Sequence, residues 1–147
     1  MGNLFTDLQQ AVADRLAADA YFSGPPTLAT LTENVGDVVN AVDKALNETG
    51  LLAFVLTPRV QAGREWRRAD VDVIVSVFEQ VSLNRDPAVG SGKPAIDVAA
   101  RVWALVDRWS PNDLWTPLLI QHVHLVEPAP TLIYEVAFAT STIIATV

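Results

Sequence analysis

The amino-acid sequence predicts an α+β fold in which a four-stranded, mainly antiparallel sheet has about three helices packed on one face. Three segments repeat apolar residues at the spacing of a helix, and four others have the apolar pattern of strands. Two of the three connections between the predicted strands contain no helix, whereas parallel neighbours need a long crossover. The 147 residues fit one domain that covers the whole chain, residues 1–147.

The first two predicted helices lie in the first third of the chain. One spans Asn3–Ala20, where leucine or valine recurs every fourth residue, and it ends before a pair of prolines that cannot continue a helix. The other spans Val35–Asn47. We expect Asn34 to cap its first turn and Gly50 to end it, because these residue types suit the two ends of a helix.

The predicted strands form two hairpins. Leu51–Thr57 is apolar on both faces, and Val71–Phe78 alternates valine with other residues. We expect Arg59–Arg68 to be the polar connection between these two strands. The second hairpin joins Leu118–Val126 to Leu132–Ile144 through a proline-rich turn.

A third helix is predicted between the two hairpins. Asn84–Pro94 is a loop rich in glycine and proline, and Ala95–Trp109 follows it with apolar residues on one broad face. We expect Trp103 and Trp109 to lie in the core beside this helix, because large aromatic rings are usually buried.

Composition excludes several classes of protein. The chain has no cysteine, so it has neither a disulfide nor a thiol nucleophile. Its net charge of −7 argues against a broad surface that grips nucleic acid phosphates. No apolar run reaches the roughly 20 residues that a membrane helix needs. Half of the residues are hydrophobic and only 18% are charged, so we expect partner chains to cover some apolar surface.

The sequence contains no recognisable catalytic or phosphate-binding motif. We therefore expect no enzymatic activity, no catalytic residue and no cofactor. His122 and His124 share one face of a predicted strand, where Glu127 or Glu135 could add a third metal ligand. We favour two strand histidines with ordinary hydrogen-bond partners and no metal, because no further metal-ligand spacing is present.

The basic residues concentrate in the first predicted hairpin, where four arginines accompany Trp66. Three interpretations remain open: a solvated polar loop, an arm that contacts another protein, or a nucleic-acid contact that must overcome the net charge of −7. The second follows from the enrichment of arginine and tryptophan at the energetic centres of interfaces. Trp115 could be either a lid on the core or an interface anchor. The candidate interface residues are Arg59, Arg64, Trp66, Arg67, Arg68 and Trp115.

The order of these elements over most of the chain resembles the phage tail terminator family, the tail-completion or minor tail proteins of long-tailed phages and prophages. The resemblance lies in the opening helix, the alternating strand behind an arginine-rich hairpin, the glycine-rich loop, the third helix and the closing strands. In this sequence these segments are Asn3–Ala20, Asp70–Val81, Asn84–Pro94, Ala95–Trp109 and the closing pair with Tyr134–Phe138. The helix Val35–Asn47 is additional to this pattern.

The resemblance implies a structural virion protein that forms a ring, typically a hexamer, and caps the tail tube. Its implied partners are other copies of itself, the tail tube protein and the head–tail connector protein. DNA would pass through the ring without specific binding, and no membrane would be involved. The implied location is the virion tail, and the host bacterial cytoplasm during assembly. Two alternatives remain open: another head–tail neck or completion adaptor, and a monomeric bacterial protein-binding module of the immunity or regulatory type.

Overall fold

A computed structural model of the chain describes residues 3–23, 29–33, 36–62, 68–88, 90 and 92–143. These residues contain five helices and five strands. In chain order they are α1 (Leu4–Ala18), α2 (Ala20–Ser23), β1 (Ala29–Thr32), α3 (Val38–Thr49), β2 (Leu51–Ala62), β3 (Arg68–Glu79), α4 (Val81–Asn84), α5 (Ala95–Val106), β4 (Leu119–Glu127) and β5 (Leu132–Ile143).

The strands form one mixed sheet with the order β1–β2–β3–β5–β4. The α+β class is confirmed, as are the two antiparallel hairpins, but the predicted number of four strands is wrong. The fifth strand, β1, runs parallel to β2 and pairs with Leu52–Val55. Its four residues are too few for alternation to stand out in the sequence. The helix α3 provides the crossover that this parallel pair requires.

The first hairpin is longer than the sequence predicts. The sequence predicts a connection for Arg59–Arg68, but Arg59–Ala62 belong to β2 and pair with β3, and Arg68 is the first residue of β3 and pairs with β5. The sequence predicts that this strand ends before Pro58, because proline cannot donate a backbone hydrogen bond. It is tolerated because the register shifts between Leu56 and Arg59, and prolines in strands are found at such irregularities.

Hydrogen bonds at the helix ends define two of the helices. The Asn3 side chain accepts hydrogen bonds from the backbone amides of Phe5 and Thr6, both at 3.0 Å. The helix α3 begins after Asp37, which accepts from the Asn40 amide, whereas Asn34 lies outside the described residues. Gly50 ends α3 with a φ of 75°, as expected for a left-handed cap.

The main core lies between one face of the sheet and the helices α1, α2 and α5. Alternate residues of β2, β3 and β5 point into it, because successive side chains in a strand point to opposite faces. No described residue of α3 belongs to this core cluster, although the Ala45 side chain of that helix is buried. The fully buried core residues include Leu8, Leu16, Phe22, Leu51, Val55, Val73, Val75, Val98, Val102, Val136 and Phe138.

The expected position of Trp103 is wrong, because 45% of its surface is exposed. The core face of α5 contains Val98, Val102 and Val106, and Trp103 lies about 100° around the helix from Val102. Trp109, which follows α5 rather than ending it, is half-buried and packs against the core. No helix in the described part of the chain has the length and apolar character needed to cross a membrane.

Candidate protein interface at the hairpin end of the sheet

The sheet face opposite the main core is called the outer face here. Its side chains form rows that cross four strands, because paired residues in adjacent strands point to the same side. The row that crosses all four strands nearest the turn of the first hairpin contains Arg59, Asp72, Ala139 and Leu119. The next row contains Leu56, Ile74, Ala137 and His122, so the ion pairs of Arg59 and Arg68 lie at one end of this face. We call that end the hairpin end.

Two of the six predicted interface residues, Arg59 and Arg68, lie on the outer face at the hairpin end. The Arg59 Nε lies 3.0 Å from Asp72 Oδ2, and the Arg68 Nε lies 3.2 Å from Asp70 Oδ1. All four side chains are at least one-third exposed. Ion pairs this exposed contribute at most about 1 kcal/mol each, so both arginines can exchange partners at little cost.

Ser141 on β5 joins the pair formed by Arg68 and Asp70. Its hydroxyl donates to Asp70 Oδ1 at 2.6 Å and accepts from the Arg68 guanidinium at 3.2 Å. The Ser141 hydrogen bond, followed by that from Arg68, lowers the pKa of Asp70 below its usual value. This carboxylate is therefore ionised at neutral pH.

Trp115 is a core residue. Of the two positions that the sequence leaves open, a lid on the core and an exposed anchor, the structure has the first. Only 5% of its surface is exposed, and its ring meets the Phe5 ring edge-on at a centroid distance of 6.4 Å. Its backbone forms an isolated antiparallel bridge with Thr142 at the end of β5. Trp115 therefore fixes the segment beside Arg68, and its buried ring is not presented as an exposed anchor.

Arg64, Trp66 and Arg67 lie outside the described residues. The interface role of all six candidate residues therefore remains a prediction.

Two grooves meet at Arg68. One has a volume of about 330 Å³ and the other about 500 Å³. Arg68, Thr116 and Ser141 line both grooves. Because the grooves share these three residues, they adjoin each other along the hairpin end, and we call the two grooves together the depression.

Exposed leucines line this depression, and the sequence analysis missed them. Leu114 is 58% exposed and lines the smaller groove, and Leu119 is 52% exposed and lines the larger one. The neighbour of Leu119, Leu118, is fully buried. Strand alternation could therefore have placed Leu119 outside, but sequence gives no comparable signal for Leu114. Exposed apolar groups beside arginines are typical of the centre of a protein interface.

His122 and His124 are exposed on the outer face, with ring centroids 6.3 Å apart. Of the two candidate third ligands, Glu135 lies opposite His124, whereas Glu127 lies opposite Ile133. Among the described residues, no group of three histidine, aspartate or glutamate side chains is arranged to hold a metal ion.

A second charged cluster surrounds the fully buried side chain of Glu79 at the end of β3. Its carboxylate accepts hydrogen bonds from Asn84 Nδ2 at 2.8 Å, Arg85 Nε at 3.0 Å and the Ala95 amide at 2.9 Å. Burial alone would raise the pKa of Glu79, but the hydrogen bonds from Arg85, Asn84 and Ala95 together lower it. This cluster ties α4 and the start of α5 to the sheet.

No protein-family model matches the chain, and no curated protein sequence matches it. Among solved structures, a chain of the virion of a native gene transfer agent particle aligns with a TM-score of 0.59 and 17% identity. The alignment covers 96% of this chain and 98% of that chain. A second solved protein, designated only by a sequence identifier, aligns with a TM-score of 0.58 and 14% identity, covering 99% and 100%. The chain therefore shares its fold with both proteins over nearly its full length.

Proposed function

We propose that the chain is a structural protein of a phage-like virion, and that it forms a ring that caps the tail tube and joins it to the head connector. The observation that carries this proposal is the end-to-end likeness in fold to a chain of a gene transfer agent virion. The likeness covers 96% of this chain and 98% of that chain, so it is not restricted to a short segment of either.

The hairpin end supplies a surface suited to such a ring. A closed ring needs two different patches on each copy, one of which meets the other on the next copy. The exposed Leu114 and Leu119 offer apolar area, while Arg59 and Arg68 can exchange their internal partners for carboxylates of a neighbour. We assign Arg64, Trp66 and Arg67 to the same interface. Trp115 contributes indirectly, because its buried ring holds the segment beside Arg68 in place.

The charge of the chain supports a passive role toward DNA. Each copy carries a net charge of −7, so a ring of several copies has a negative lumen that repels phosphates. DNA would then pass through without specific binding. The proposed partners are further copies of the chain, the tail tube protein and the head–tail connector protein.

Electron microscopy of the purified chain mixed with tail tubes from the same phage or prophage tests this proposal. We expect rings at one end of the tubes. Attachment to the head connector but never to a tube would indicate a different neck adaptor. A chain that stays monomeric and binds neither component would contradict the proposal and favour a protein-binding module. A submicromolar Kd for duplex DNA at physiological salt would contradict the passive role toward DNA.

A further inference from the structure

The sheet has two open edges, one at each side. The strand β1 pairs with β2 at Leu52–Val55, and among the described residues no strand covers the same edge of β2 at Arg59–Ala62. On the other side, β4 pairs with β5, and the described part of the chain places no strand against its second edge. Each open edge has backbone amide and carbonyl groups without a strand partner, and such groups are a template for another strand.

The two open edges match in length. Arg59–Ala62 pairs with β3 residue by residue after the irregularity at Pro58. His122–Leu125 pairs with β5 residue by residue between two further irregularities of β4. Each edge therefore offers one regular stretch of four residues. The stretch in β4 contains no proline, lysine or arginine, the residues that commonly protect an edge strand from pairing.

We propose that β4 of one copy pairs with the Arg59–Ala62 part of β2 in the next copy, so that the sheets of all copies join around the ring. This inference rests on the proposed ring and names the contact that closes it. Because each copy uses one edge as donor and the other as acceptor, the interface is heterologous, as a ring requires.

The direction of the pairing follows from the topology. Within one copy β4 runs opposite to β2, because β2 and β5 both run antiparallel to β3 and β4 runs antiparallel to β5. In a closed ring of joined sheets the strands tilt by about 35–45° from the ring axis and are staggered along it, and rotation about that axis still leaves neighbouring copies of a strand running in the same general direction. The strand β4 is therefore antiparallel to β2 of the next copy.

Two antiparallel registers bring side chains on the same face together over three residues of each stretch, and we propose the one that places Arg59 beside His124. Arg59 and Gln61 point to the outer face of their copy, as do His122 and His124. This register places Gln61 opposite His122 and Arg59 opposite His124. On the other face it places Val60, which is exposed in the single chain, opposite Val123.

Cysteine cross-linking on tail tubes tests this contact, and the natural chain has no cysteine to interfere. The double variant carries Gln61→Cys and His122→Cys. In one copy these positions are three strand spacings apart sideways, at least roughly 14 Å, which is too far for a disulfide within the chain. We expect oxidation to link several copies into a reducible ladder that ends at the size of the ring.

Three controls make the result specific. Each single-cysteine variant and the pair Gln61→Cys with Asn47→Cys should give at least tenfold less of the ladder. Efficient dimer formation by His122→Cys alone would show that β4 pairs with itself and would overturn the proposal. An unchanged melting temperature of each variant confirms that it folds.

A second variant tests the same edge without a disulfide. Leu125→Lys adds a charge to the open edge of β4, so we expect at least tenfold weaker ring assembly with the same melting temperature. Val39→Lys, at an exposed apolar position of α3, is the matched control and should assemble normally. Rings that form on tubes without the ladder and tolerate Leu125→Lys would overturn this inference while leaving the proposed function intact. Failure to form rings at all would overturn both.

Discussion

Arginine meets carboxylates in two regions of this molecule, and the two regions differ in burial. Arg85 reaches Glu79, whose side chain is fully buried and also accepts hydrogen bonds from Asn84 and Ala95. At the hairpin end, Arg59 and Asp72 form a pair in which both side chains are in contact with water. The distances are the same, 3.0 Å in each pair.

The comparison teaches that equal geometry does not mean equal energy. A buried carboxylate has lost its water, so each missing donor leaves an unsatisfied charge. An exposed carboxylate regains water when its partner leaves, and the pair contributes little. The Glu79 cluster therefore stabilises the fold of the single chain, whereas the hairpin end can contribute its charges to another protein.

Replacement of each carboxylate by its amide gives the largest expected difference. Glu79→Gln substitutes an NH₂ group for an oxygen that accepts hydrogen bonds, so a donor faces a donor inside the protein. We expect the free energy of unfolding to fall by about 3 kcal/mol. Asp72→Asn, the matched control at the hairpin end, should change it by less than about 0.5 kcal/mol. Urea unfolding measures both, and similar losses would break the comparison.

The loop beside Glu79 leaves no room for a side chain at Gly90. A Cβ at this position would lie 2.1 Å from the Asn84 backbone oxygen, so the backbone here must shift, and we expect the Asn84 hydrogen bond to Glu79 to weaken. We expect Gly90→Ala to lower the free energy of unfolding by about 2 kcal/mol. Gly36→Ala is the control, because no atom lies within 4 Å of its added Cβ. Equal stability of the two variants in urea would contradict the close packing at Asn84.

Lowering the pH should reduce the free energy of unfolding through the Glu79 cluster. The pKa of Glu79 is lowered in the folded chain, so its stabilisation is complete above the ordinary glutamate pKa of about 4.3. That stabilisation is lost as the pH falls through the lower pKa of the folded state. Urea unfolding between pH 7 and pH 3 should show a steeper loss for the natural chain than for Glu79→Gln. Parallel pH curves would show that Glu79 is not the responsible group.

Removal of Arg59 and Arg68 should leave the stability of the single chain almost unchanged. We expect the double variant Arg59→Ala/Arg68→Ala to change the free energy of unfolding by less than about 1 kcal/mol, because both ion pairs are exposed. Urea unfolding measures this change. A larger loss would place these arginines among the residues that hold the fold, beside Glu79.

Zinc should have the smallest effect. His122 and His124 share the outer face, but the described residues provide no third ligand arranged with them. We expect no measurable rise in melting temperature with added zinc. A rise of several degrees that His122→Ala and His124→Ala both abolish would establish a metal site.

The sequence was sufficient for those elements whose pattern depends on local chemistry. Gly50 ends α3 as expected, and the valines of β3 alternate between the two faces. The parallel strand β1 was missed because four residues show too little alternation. Trp103 was predicted to be buried, but the apolar face of α5 is wider than the part of it that the core covers.

The site was harder to predict than the fold. The arginines were visible in the sequence, but their pairing with Asp70 and Asp72 depends on strand register, which fixes partners across a hairpin. The groove at Arg68 depends on the segment near Trp115 returning to the end of β5. Contacts between residues so distant in sequence leave no local pattern.

Ring assembly on tail tubes, measured by electron microscopy for the natural chain and for Arg59→Ala/Arg68→Ala, tests most directly whether the hairpin end serves other protein chains. We expect the natural chain to cap one end of the tubes, and the double variant to require at least tenfold more protein for the same occupancy while keeping its melting temperature. A double variant that caps tubes as well as the natural chain, or a natural chain that never binds them, would contradict this account.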